Sequence, residues 1–472
     1  MPAIALGAGG APQQGAVYFV AVNGSDETGD GSAERPWASI THAAEAIPDA
    51  SAIVVVGDGT YKDVVLITRS YSSPVVFRAA NPFRARLVNR SEGAAVNLFG
   101  GNFTLTGFHI RGSSLSAVIV GKGAHAIQIR DNILTLDEAT DEGILTMVLS
   151  IQGDTTNIVV EGNTVDGLVS DEFLGWAALI HVGRSTGVWL HRNVIFGSSA
   201  ATDIHQPAVL VAGSRDLVID GNVFLGLTAG PVLRFSAIDA PDFPPTNTHV
   251  DNNLFLAVGG QRAAPVLAIE AARDLQFRAN TVVGPLGAEP FALSLAAPLG
   301  GPANSNIGLY NNIFSDPTGA MGDLASGPVT STLGLALGNN LYWNGGAPIP
   351  NFGDGPTVAD DPDAIVADPL LPATTGVIPP RWDPETGTFG GGHRTIREVF
   401  AALGELARTA PGSPAIDHAD GEHMPLTDLF GRPRGSPDIG ALEYRPPGPP
   451  TPTATATPAA RIHLPWNGRE TQ

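Results

Sequence analysis

The chain has no cysteine. That removes disulfides, thiolate metal sites and cysteine nucleophiles together. Lysine is nearly absent too: of 26 basic residues only Lys62 and Lys122 are lysines, so chemistry that turns on a lysine base has few places to sit. Charged residues are only 15% of the chain and lean acidic, 46 Asp and Glu against 26 Lys and Arg, for a formal net charge of −20. A balance of that sign argues against nucleic acid and anionic membrane surfaces as partners, because both would be repelled. It also disfavours a polyanionic substrate unless a divalent cation bridges the two. No run approaches the ~20 uninterrupted apolar residues of a membrane span. Residues 1–16 lack the basic region and apolar stretch of a secretory signal and read as a disordered lead.

What is present is glycine (57), proline (39) and a 43% hydrophobic share in 472 residues, enough apolar material for a large core. The informative feature is repetition. A pattern of apolar-x-apolar-x-x-Asn recurs at Asn132, Asn163, Asn193, Asn222, Asn253, Asn280, Asn312 and Asn340, with spacings of 31, 30, 29, 31, 27, 32 and 28 residues. An earlier copy, Phe103–Ile110, has Gly107 in the Asn slot. The alternation is period two rather than helical, and each copy carries a second short apolar run upstream, as in Met147–Ile151 and Ala177–Val182. Several short strands per repeat, each ending in a turn, describe one coil of an all-β parallel solenoid. Asn tolerates left-handed backbone at such a bend, and its amide can bond the same Asn one coil on, ~4.8 Å away. About nine coils at that spacing give a rod on the order of 45 Å. Trp37–Ile47 places Ile40, Ala43, Ala44 and Ile47 on one helical face, a helix suited to plugging the first coil.

The opening Tyr18–Asp26, then Arg35-Pro-Trp37 and Val56–Tyr61, resembles the N-terminal cap of right-handed parallel β-helix proteins of the pectate-lyase-like superfamily. Asp368-Pro-Leu370, Gly412–Asp417, Asp428 with Arg432, and Asp438–Glu443 resemble the C-terminal region of bacterial choice-of-anchor Q domain proteins. The resemblance implies one right-handed β-helix with a helical N-terminal cap and a C-terminal cap. The organisation then reads 17–100 for the cap and first coils, 101–345 for the coils, 346–445 for the C-terminal coils, insertion and cap, and 446–472 for a disordered tail. Residues 371–407 form the insertion, with no role assigned. The last C-terminal acids are expected to close the final coils through salt bridges and turn bonds. The Pro/Thr tract at 446–458 reads as an extended stalk. A monomer that is secreted or displayed on a bacterial surface and engages polysaccharide is the expectation.

In that superfamily the substrate groove follows one sheet, which here corresponds to the upstream runs. Alternation turns Ser150, His181, Arg234 and Ala268 outward, with Glu270 alongside. The loops entering these strands carry Asp141 and Glu142, then Asp171 and Glu172, then Asp203 with His205. Three readings stay open. A lyase or epimerase would use calcium held by Asp141, Glu142, Asp171, Glu172 and Asp203, with Arg234 or His181 as base. A glycoside hydrolase would pair carboxyls among Asp171, Glu172, Asp203 and Glu270. A binding rod would need neither, and Trp176, Trp189, Trp343 and Trp382 would offer sugar-stacking surfaces.

Overall fold

The computed structural model describes residues 15–89, 93–112, 116–136, 147–167, 178–197, 207–227, 230–237, 242–257, 264–287, 290–296 and 304–446. The chain is nearly all β, wound into the expected parallel β-helix. Each middle coil visits three sheets in turn. The coil containing Asn132, for example, runs through Ser116–Val120 in the first sheet, His125–Arg130 in the second and Ile133–Leu136 in the third. The strands Ala178–His191 and Val209–Asp220 pass through the first bend without a break and join the first two sheets. The third sheet stacks 12 parallel strands.

Alternate side chains from all three sheets fill the interior, among them Leu149, Ile151, Ile180, Val182, Ile219 and Leu275, each fully buried. Third-sheet aromatics stack along the axis: Phe224 on Phe255 at 4.8 Å and Phe314 on Tyr342 at 5.6 Å, ring centre to ring centre. Offset stacks of this kind add to the area each ring buries.

The Asn column forms as read. All eight asparagines are fully buried, and each side-chain nitrogen from Asn132 to Asn312 donates to the Oδ1 of the next Asn at 2.8–3.2 Å. The left-handed backbone, however, falls one residue earlier than expected. Asp131, Arg192, Asn252, Ala279, Asn311 and Asn339 take φ of 51–57°, and glycine fills the same place at 107, 162 and 221. The ladder Asn is fixed by its side-chain bonds, and the residue before it makes the bend. Gly107 therefore occupies the bend, and Phe108 stands in the ladder slot, its backbone N–H donating to Asn132 Oδ1 at 2.9 Å.

At the N-terminal end the helix α1 (Ile40–Ala46) starts from Ser39, whose hydroxyl accepts the His42 N–H, and buries Ile40, Ala43 and Ala44 against the first coil. Asp26 accepts bonds from Ala38 N, Ser39 N and Ser39 Oγ, a loop-fastening role.

At the C-terminal end the strand Ile365–Val366 adds to the third sheet beside Leu341 and Tyr342. The chain then turns back along the flank of the solenoid. Trp382 and Phe389 pack on Phe83 near the other end. The helix α2 (Ile396–Gly404) buries Ile396, Val399, Phe400 and Leu403 in a cluster with Val194, Phe196, Val223, Leu225, Leu254 and Leu256. The insertion at 371–407 thus covers the outward face of the third sheet. The C-terminal acids are spread along this flank rather than gathered at the last coils. Asp438 accepts the Asp417 N–H at 2.8 Å, and Asp428 the Arg432 N–H at 2.9 Å. Leu429 lies beside Gly221, and Ala441 N bonds Thr281 Oγ1 at 3.0 Å. The buried cation here is Arg434, which faces Glu443 at 3.4 Å.

Candidate functional site

The first sheet positions most of the expected site residues. Its strands pair in register, so Ser150, His181, Leu210, Arg234, Ala268, Ser294 and Ser326 form one outward column. His181 and Arg234 stand two rungs apart, ~9–10 Å along the axis, with Leu210 between them. His181 is 6% exposed and Leu210 5%. Glu270, one residue past the strand Leu267–Ile269, reaches back to Arg234, with Nη2 to Oε1 at 2.6 Å. Both are partly exposed, 18% and 26% of each side chain. The structure therefore brings Arg234 and Glu270 together and sets His181 apart. Asp203, Asp141, Glu142, Asp171 and Glu172 lie outside the described residues, as do His205 and Trp176. Among the described residues no group of three or more His, Asp or Glu side chains is arranged to hold a metal.

The pair has a chemical consequence. A guanidinium in contact with a carboxylate stays a cation, with donors in a planar fork. Arg234 is thus suited to binding hydroxyl or acid groups.

A second set of functional-type groups, not anticipated above, lies on the second sheet. The residue two before each ladder Asn faces outward, giving the column Arg130, Glu161, His191, Asp220, Asp251, Arg278 and Tyr310. Neighbours pair across coils: Arg130 with Glu161 at 3.0 Å, His191 Nδ1 with Asp220 at 3.0 Å, and Arg278 with Asp251 at 2.6 Å. Burial pushes the Asp251 carboxyl up despite Arg278 beside it. Burial likewise holds His249, 3.2 Å from Arg278 Nη2, below the usual imidazole range. The signal was in the sequence, as a charged or polar residue at a fixed offset from the ladder. Trp189, next to this column, packs 4.7 Å from the His191 ring, and Trp382 is spent on Phe83 and Phe389.

Where this column meets α2 a groove of about 540 Å³ opens, lined by Arg130, Glu161, Arg192, Arg397, Phe430 and Arg432 among others.

No family model matches the chain, and no curated protein is similar to it in sequence. Among solved structures, pectate lyase Pel9A is similar with a TM-score of 0.45 at 12% identity, over 92% of this chain and 97% of that one. The complex of alginate lyase AlyF-OU02 with G6 gives 0.43 at 14%, over 83% and 90%. The complex of XylC with xylose gives 0.42 at 12%, over 90% and 98%.

Proposed function

We propose that this β-helix is a polysaccharide-binding rod, secreted or displayed at a cell surface, whose first sheet receives the glycan. The observation that carries the reading is the strip Arg234, Ala268, Ser294 and Ser326, with Glu270 beside it. Three of its four column residues are small, all four are half-buried, and they are stacked in register. Such a strip is flat, charged at one end and spaced by ~4.8 Å per rung, close to the length of one sugar unit along a chain. Arg234 supplies donors and Glu270 an acceptor for sugar hydroxyls. The outward face of the third sheet, by contrast, is closed by apolar packing from the C-terminal segment.

Binding is favoured over cleavage because Arg234 and Glu270, candidates for the lyase base and for a hydrolase carboxyl that fall among the described residues, are engaged with each other. A lyase needs a proton acceptor, and the Arg234 guanidinium, a donor group, is turned onto Glu270. A hydrolase needs a second carboxyl ~5–9.5 Å from the first; of its candidate acids Glu270 is the one among the described residues, and it is paired with Arg234. Calcium would enter through the acidic loops before these strands, bridging the −20 chain to an acidic glycan. Incubation with uronic-acid and neutral polysaccharides, with and without calcium, tests the reading. Retention without new ultraviolet-absorbing or reducing ends is expected; either product would replace binding with lyase or hydrolase.

A further inference from the structure

The groove between α2 and the turns after the second sheet is built from three separate segments, and its charge runs against that of the chain. Arg130, Arg192, Arg397 and Arg432 line it with Asp131, Glu161 and Glu405. Two of these acids are already matched, Glu161 to Arg130 at 3.0 Å and Glu405 to Arg408 through bonds of 2.5 and 2.9 Å. Arg432 also acts on Glu405, and the lining as a whole carries four arginines against three acids. In a molecule of net charge −20 this is a local excess of cation.

The arrangement is also held in place. Arg192 Nη2 donates to the Phe430 carbonyl at 3.0 Å. Gly431 has φ of 72°, and a Cβ there would lie 2.0 Å from that same Nη2, so the turn leaves room for the guanidinium. Arg432 lies over the Phe430 ring, 5.2 Å from its centre, and Phe430 meets Phe400 edge-on at 6.0 Å. Arg397 and Arg432 are both exposed. The groove has the volume of an ordinary small-ligand site, an apolar wall and planar cationic donors matched to carboxylate or sulfate.

We propose that this groove is a second saccharide site, selective for units bearing acid groups, with the acid on Arg397 and Arg432 and the sugar ring against the apolar wall of Phe400, Ala401 and Phe430. It rests on the polysaccharide reading above but uses a different face of the molecule. Because solenoid, α2 and the 428–432 turn all contribute, ligand would also raise the stability of the docked C-terminal segment.

Calorimetric titration of the full chain tests this, using an oligogalacturonate, a sulfated oligosaccharide, a neutral oligosaccharide of equal length and sodium sulfate. Acid-bearing sugars should bind about tenfold or more tightly than the neutral one, as charge-assisted contacts imply. The double substitution Arg397→Gln/Arg432→Gln should abolish that preference and leave neutral binding at the first-sheet strip unchanged. Arg234→Gln/Glu270→Gln should lower neutral binding and keep the preference, which separates the two sites. Equal affinity for acidic and neutral sugars, a preference that survives Arg397→Gln/Arg432→Gln, or sodium sulfate binding as well as the acidic sugars would each overturn the proposal.

Discussion

The side-chain amide of Asn340 donates to Asp361 Oδ2 at 2.7 Å, so the buried asparagine column ends on a carboxylate. The last member of such a column needs only to accept, and a carboxylate does nothing else. Asp361 also takes the N–H groups of Asn339 and Asn340 and the Tyr342 hydroxyl. Asp361→Ala strands several of these donors in the interior, and each orphaned buried group costs about 1–3 kcal/mol. A loss of about 3–5 kcal/mol is expected, read from the denaturant midpoint of the full chain. A change below about 1 kcal/mol would show that the column does not need its end.

A substitution inside the column should act differently. Asn222 accepts from Asn193 and donates to Leu190 O and Asn253. Asn222→Ala breaks a coil-to-coil link in the middle of a stack that is stabilised by nearest neighbours. We expect a loss of about 3–5 kcal/mol, with unfolding split into two transitions by circular dichroism. A single transition at the original midpoint would be the contrary result.

Asp166 ties the third sheet to the returning segment through Arg381, 3.4 Å away. Burial nevertheless raises its carboxyl to about 6, with Arg381 opposing. The attraction loses because Arg381 is 45% exposed and water weakens its field. The folded chain keeps this proton up to about pH 6, while the unfolded chain releases it near 3.8, so this group favours folding as pH falls through that window. Asp166→Asn should therefore stabilise the protein at pH 7.5 by about 1–3 kcal/mol and leave it unchanged at pH 4. Thermal melts at the two pH values decide it.

His109 works in the opposite sense. Burial, with Arg111 and Arg86 nearby, lowers its imidazole to about 4. The unfolded chain takes up a proton near 6.5 that the folded chain refuses. The stability this residue provides is complete above 6.5 and is lost as pH falls toward 4. His109→Gln should flatten that acid slope, by about 2–3 kcal/mol between pH 7 and pH 4. An unchanged slope would assign acid sensitivity to other groups.

The solenoid was legible because its coils repeat a period-two pattern around a polar residue that only a stack can satisfy. The N-terminal helix was legible from Ile40, Ala43, Ala44 and Ile47. The returning C-terminal segment was not, although its signal was present. Third-sheet strands such as Val194–Gly197, Val223–Leu225 and Leu254–Leu256 are apolar at nearly every position, and a strand apolar on both faces must be covered on both. Phe224 and Phe255 point into the core, while Val223, Leu225, Leu254 and Leu256 wait for α2. On the site side, alternation put His181, Arg234 and Ala268 on one face. The same alternation turns Leu210 outward on the coil between His181 and Arg234; it could not show that Glu270 folds back onto Arg234. The groove at α2 brings Arg192 next to Phe430, 238 residues further on, and a contact that distant leaves no local trace.

On the proposed function, the first-sheet strip at Arg234 and Glu270 holds polysaccharide without cutting it. Affinity electrophoresis through gels containing neutral or uronic-acid polysaccharides, comparing the native chain with Arg234→Gln/Glu270→Gln, measures this directly. Retardation of the native chain on at least one polysaccharide, weakened about tenfold in the double variant (about 1.4 kcal/mol) with no shortening of the polymer, is the predicted result. Equal mobility of the two proteins in every gel, or polymer cleaved by the native chain and spared by the variant, would contradict it.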